Sequence, residues 1–251
     1  WTAYIETIRM FFVDAIVRKM MPSKTISPAW VYSFDDYCQM FALSDKELAL
    51  SILDYPGSIS CFNAQAHSAD RRVVSADSIY NHDSASIQSL VATMLADHQQ
   101  QLQNDPSHFL QDGVNPQALF QRWQTTTECF LEDYSKGCEH GRYIAVNKPR
   151  WPFSAHQFDI ALCSDLNFDQ HEKSAVSPLE IVQELTRVSK EIRIFPLLNP
   201  EGRIAEEWGD VMHWLQEHQF GQEIHAIDFQ QLKGSNAMLR IWATKCRLNQ
   251  D

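Results

Sequence analysis

An apolar run, Ile52-Leu53-Asp54-Tyr55, enters a tight turn at Pro56-Gly57-Ser58, and a second run, Val73-Val74-Ser75-Ala76, closes on an acid, Asp77. A strand, a turn holding a glycine, a helix-like segment and an acid about 20 residues further on form the layout of a nucleotide-binding βαβ unit. Such a unit holds its ligand beyond the carboxyl ends of its strands. The chemistry on offer is recognition: a carboxylate at Asp77 would take charge-assisted hydrogen bonds from ribose hydroxyls, each worth roughly 1.5 to 3 kcal/mol. The bland alternative is an ordinary strand-turn-helix of an α/β domain.

What the turn lacks narrows the ligand. A pyrophosphate wants close backbone approach and free N–H groups at a helix N-terminus, which three glycines normally provide. Only Gly57 is present, Pro56 has no N–H to give, and Ile59 adds a β-branched side chain. A phosphate-free adenosine ligand bearing an amino acid asks for one close backbone approach and one carboxylate. S-adenosylmethionine fits that description.

The rest of the chain must position these groups. Its 251 residues and 44% hydrophobic content support a substantial core. A net charge of −11 opposes non-specific nucleic-acid binding and favours a small-molecule or protein partner, although Arg71-Arg72 and Lys148-Pro149-Arg150 interrupt the acidity. Six scattered cysteines without a CxxC pair predict reduced thiols and a cytoplasmic location. The ten histidines show no metal-ligand spacing, so no metal is expected.

Residues 4–21 carry Ile5, Ile8, Phe12, Ala15, Ile16 and Met20 at helical spacing, and residues 1–30 read as an amphipathic helix and linker ended by Pro22 and Pro28. Arg9, Asp14, Arg18 and Lys19 exclude a transmembrane segment. Packing on its own domain, membrane-surface docking and a homodimer contact all stay open for this helix. Residues 31–251 then form one domain. Ser33–Phe41 reads as a short helix, the Ser44 to Glu47 capping box predicts another brief helix, and ILDY and VVSAD are the first two parallel strands with a helix between Cys61 and Ala69. A helical insertion at about 81–140 leaves the sheet after the second strand, as a cap beside the ligand or a plain packing subdomain. GRYIAV, FDIALCS and EIRIFPLL are further strands, with helices at Pro178–Ser189 and about Ala205–Gln219. EIHAIDF and AMLRIWATK, joined through a turn containing Gly234, close the chain as an antiparallel hairpin.

With these elements in order, the chain from about residue 30 to 246 resembles the class I S-adenosylmethionine-dependent methyltransferases. ILDYPGSIS is similar to the family's first motif, VVSAD to its acidic second strand end, and NKPRWPFSAHQFDIALCS to its adenine-contacting polar residue, Leu-Pro-Phe-like turn and Phe-Asp strand opening. More narrowly, FDIALCSDLNF, EIRIFPLLNPEG and FQQLKGSNAMLRI are similar to an uncharacterised bacterial methyltransferase-like group. The resemblance implies an α/β, Rossmann-like fold with a mostly parallel seven-stranded sheet and a terminal antiparallel hairpin. It implies S-adenosyl-L-methionine as cofactor, with Asp54, Tyr55, Pro56, Gly57 and Ser58 around its methionine part and Asp77 on the ribose. Ser78, Ile79, Asn147 and Lys148 fall by the adenine, and Cys163 and Ser164 near the sulfonium and its carboxylate end. Pro56 and Ile59 stand where the family commonly has glycines, and Asn147 where it commonly has an acid.

Methyl transfer needs alignment and exclusion of water rather than a protein nucleophile. For a hydroxyl or ammonium acceptor, Asp165 is the candidate base, against a reading as a helix cap or surface carboxylate. Trp151 and Phe153 would stack on the cofactor or acceptor, or else belong to the core; Lys148 and Arg150 would attract an anionic acceptor, or else line a solvated loop; Arg122 and Trp123 would reach the acceptor, or else form a salt bridge and a buried ring. Two function classes follow: an enzyme acting on a small molecule, or a non-catalytic methyltransferase-like domain that binds partners. An NAD-linked enzyme stands behind both.

Overall fold

A computed structural model describes residues 31–106, 115–146, 150–164, 166, 177–197, 204, 208–229 and 236–244. The N-terminal segment, Asn147, Lys148, Asp165 and the Gly234 turn lie outside these residues. Among the described residues seven strands form one sheet: β1 (Ser51–Tyr55), β2 (Arg72–Asp77), β3 (Tyr143–Ala145), β4 (Phe158–Cys163), β5 (Ser189–Ile194), β6 (Gly221–Ala226) and β7 (Ala237–Trp242), in the order β3-β2-β1-β4-β5-β7-β6. All neighbours from β3 to β5 pair parallel, while β7 runs antiparallel between β5 and β6. This is the α/β, Rossmann-like architecture expected from the sequence.

The helices are α1 (Phe34–Met40), α2 (Phe62–Ser68), α3 (Ser84–Asn104), α4 (Pro116–Glu139), α5 (Pro178–Val188) and α6 (Trp208–Glu217). Their starts are written locally. Ser33 with Asp36 and Ser177 with Glu180 form reciprocal capping boxes, Asp83 and Asn115 accept from Ser86 and Gln117 N–H, and Pro116 and Pro178 open their helices. The Ser44 to Glu47 box also forms, with Ser44 N–H donating to Glu47 Oε2 at 2.8 Å, yet 45–50 is only a succession of turns. The chain must enter β1 at Ser51, and Glu47 is drawn into an ion pair with Arg193, so the expected helix ends as its first turn.

Two cores sit on opposite faces of the sheet. One gathers Ile52, Val73, Ile160 and Leu162 with α1, α2 and the insertion; the other gathers Leu53, Ala76, Ala161, Cys163, Ile192 and Ile194 with α5 and α6. The insertion shares the first core, since Phe130 and Tyr134 of α4 pack with Tyr80 and Tyr143. Asp133 of α4 takes a bidentate pair from Arg142 at 2.6 and 2.7 Å. Trp123 is buried and Arg122 reaches Asp36 at 3.5 Å, the structural alternative for both residues. Among the described residues, no helix is long and apolar enough to cross a membrane.

Candidate functional site

Side chains alternate across a strand, so Ile52 and Asp54 of β1 share a face, as do Val73, Ser75 and Asp77 of β2. The parallel register sets Asp54 beside Ser75. Asp54 is fully buried, and its carboxylate accepts from Tyr37 Oη at 2.7 Å and Ser75 Oγ at 2.8 Å. Burial pushes its pKa up to about 7, the two hydroxyls pull it down, and the neighbouring Asp77 charge adds to the rise. Tyr37 comes from α1, where its ring stacks on Phe62 at 4.4 Å. Asn63 of α2 extends the network, donating from Nδ2 to Ser75 Oγ at 3.1 Å and accepting from Arg142 at 2.6 Å.

The turn after β1 is tied down on both sides. Gly57 N–H donates to Ala76 O at 3.0 Å and Ser58 N–H to Asp77 Oδ2 at 2.8 Å. From β4, Ser164 N–H donates to Tyr55 O and Ser164 Oγ to Pro56 O, both at 3.1 Å. Gly57 cannot carry a side chain: a Cβ there would collide with Tyr80 Oη and come within 2.7 Å of Ser75 Cβ. The second carboxylate, Asp77, ends β2 beside this turn and is 8% exposed. Its Oδ1 accepts from Ile79 N–H at 3.0 Å and Ser78 Oγ at 3.3 Å. Burial raises its pKa, and the hydrogen bonds from Ile79, Ser58 and Ser78 oppose the rise.

Of the residues singled out from sequence, Asp54, Tyr55, Pro56, Gly57, Ser58, Asp77, Ser78, Ile79, Cys163 and Ser164 converge where β1, β2 and β4 end. Two of them are closed off from solvent. Cys163 has no exposed surface and packs in the core under α5 and α6, and the Asp54 carboxylate is sealed beneath the turn. Trp151 and Phe153 are core residues, with the Trp151 ring 4.4 Å from Tyr55. Their loop is pinned to α5, because Trp151 N–H donates to Glu184 at 2.6 Å and Arg187 donates to the Phe153 carbonyl at 2.8 Å. Arg150 is exposed. No disulfide joins the five described cysteines, and no cluster of metal-ligating side chains occurs among the described residues.

Sequence reasoning passed over Tyr37, Asn63, Ser75 and Tyr80. The spacing of Ser75 two residues before Asp77 carried a signal, since both must face the same way. Tyr37 carried none, because only the fold brings α1 beneath β1.

No family model matches the chain. It is 27% identical over 221 residues, 83% of this chain and 93% of the relative, to an uncharacterised protein of Methanocaldococcus jannaschii, an archaeal relative that lends nothing to the expected bacterial grouping. Among solved structures, it is similar to a protein of Pyrococcus horikoshii provisionally named an RNA methyltransferase, with TM-score 0.43, 8% identity and coverage of 97% and 98% of the two chains. It is also similar to a SAM-dependent methyltransferase of Aquifex aeolicus, with TM-score 0.35, 12% identity and coverage of 83% and 92%. The fold rests on the sheet order and register rather than on these likenesses.

Proposed function

We propose that the chain transfers a methyl group from S-adenosylmethionine to a small-molecule acceptor. One observation carries this reading: at the point where β2 and β4 flank β1, the turn spends its Gly57 and Ser58 N–H groups within the chain and the side chain that ends β2 beside it is a carboxylate, Asp77. A crevice at such a switch point takes ligands. With no free turn donors and an acid facing it, an anionic phosphate is disfavoured and a phosphate-free adenosyl ligand bearing positive charge is favoured.

When bound, S-adenosylmethionine supplies an electrophilic methyl group on a sulfonium. Asp77 would hold the ribose: a carboxylate offers about four acceptor positions, and the one given to Ser78 Oγ is exchangeable by rotating that hydroxyl. Ser78 and Ile79, with Asn147 and Lys148, would flank the adenine. Tyr55 to Ser58 and Ser164 would line the methionine part, with Asp54 and Cys163 supporting them from below rather than touching it. Asp165 would take the acceptor's proton. Alignment of this kind is worth roughly 7 to 11 kcal/mol of barrier. The insertion would cover the acceptor, and the charge of −11 argues against a nucleic-acid acceptor.

The same internal satisfaction of Asp77 and the turn favours a second reading, a non-catalytic domain of this fold that binds partners. Titration calorimetry on the wild type separates the two. S-adenosylmethionine and S-adenosylhomocysteine are expected to bind with micromolar affinity and NADH not at all. Silence toward all three ligands supports the binding domain, and selective NADH binding replaces both readings.

A further inference from the structure

Resting on that reading, we propose that Tyr80 is a positioning residue, bracing the Tyr55–Ser58 turn and tying its shape to the helical insertion. Tyr80 belongs to a 3-10 turn, Ser78–Asn81, that follows Asp77 directly, and it is buried. Its hydroxyl donates to the Ser58 carbonyl at 2.9 Å and occupies the place a side chain on Gly57 would need. Ser58 is therefore held from two directions, its N–H by Asp77 and its carbonyl by Tyr80. Ser58 also sits at φ 44°, a conformation that a non-glycine residue keeps only when its surroundings impose it.

The other end of Tyr80 belongs to the insertion. Its ring lies 5.2 Å from Tyr143, 5.9 Å from Tyr134 and 6.4 Å from Phe130. Tyr134 Oη donates to His82 O at 2.8 Å and approaches Tyr80 O at 3.4 Å. A route of packed rings and hydrogen bonds thus runs from α4 through the 3-10 turn to the backbone of the turn after β1. Its effect is pre-organisation: a turn already in its binding shape loses less freedom when a ligand arrives.

The experiment uses the full chain and two variants that keep every ring, Tyr80→Phe and Tyr134→Phe. Backbone amide exchange of ligand-free protein reads the brace itself, and S-adenosylhomocysteine titration reads its effect on binding. In Tyr80→Phe the Ser58 amide is expected to exchange faster, with the melting temperature lowered only by the few degrees that one hydrogen bond is worth and affinity weakened about 3- to 10-fold, the factor one neutral hydrogen bond is worth. Tyr134→Phe should move both readouts in the same direction by less. Unchanged Ser58 exchange in Tyr80→Phe overturns the brace, as does faster exchange with equal or tighter binding. Should the wild type not bind the ligand, the methyl-transfer reading falls while amide exchange still decides the brace.

Discussion

The sheet lies between two environments that differ where β1 and β2 end: one stays apolar, and the other turns polar there. Under α5 and α6 the strands present Leu53, Ala76, Ala161, Cys163, Ile192 and Ile194 to Val182, Leu185 and Val188. Under α1, α2 and the insertion the sheet presents Ile52, Val73, Ile160 and Leu162 and, toward the ends of β1 and β2, Asp54, Ser75 and Asp77, met by Tyr37, Asn63 and Tyr80. The apolar face needs only shape and volume. The polar face needs every partner, since each buried group left unpaired costs about 1 to 3 kcal/mol. Both faces hold the sheet together; the second also fixes one carboxylate and one turn at the strand ends where a ligand would lie.

The largest effect on stability is expected from the apolar face. Leu185 has no exposed surface, so Leu185→Ala should cost about 2 to 5 kcal/mol in chemical denaturation, the usual range for a leucine cavity. It should leave affinity for S-adenosylhomocysteine within about twofold of wild type, because the hydrogen bonds that hold the turn come from Ala76, Asp77, Tyr80 and Ser164 rather than from that helix. A matching loss of affinity would mean the two faces are not separable.

A smaller and pH-dependent effect is expected from the polar face. Burial raises Asp54 to about 7, above its value in an unfolded chain, so the folded state holds the extra proton. The stability this group contributes is fully present below about pH 4 and is lost as pH climbs toward 7. Asp77 is raised in the same direction, whereas Asp159, held down to about 2 by Lys190 and Ser51, contributes the opposite slope at lower pH. Asp54→Asn should therefore flatten the fall in melting temperature between pH 4 and 7 relative to wild type. An unchanged slope would place the titration elsewhere.

Much of this was legible in the sequence, for identifiable reasons. The strands were carried by short apolar runs, and the helix starts by caps such as Ser33, Ser177 and Pro178, all of them local signals. Gly57 and Asp77 were legible by spacing alone. What escaped was long-range: Tyr37 lies 17 residues from Asp54, and Arg142 lies 79 from Asn63. That Asp54 is sealed beneath the turn follows from its register beside Ser75, which no local pattern announces. The Ser44 box shows the converse, a correct local signal overruled by the strand that begins at Ser51.

Asp77 is where the polar face meets the ligand, and Asp77→Asn tests it most directly, because asparagine keeps the shape and one acceptor while removing the charge. In parallel titrations at pH 8, wild type should bind S-adenosylhomocysteine and the variant should bind at least about tenfold more weakly, the loss of one charge-assisted hydrogen bond. Equal binding by the two proteins would contradict the account, and so would a wild type that does not bind.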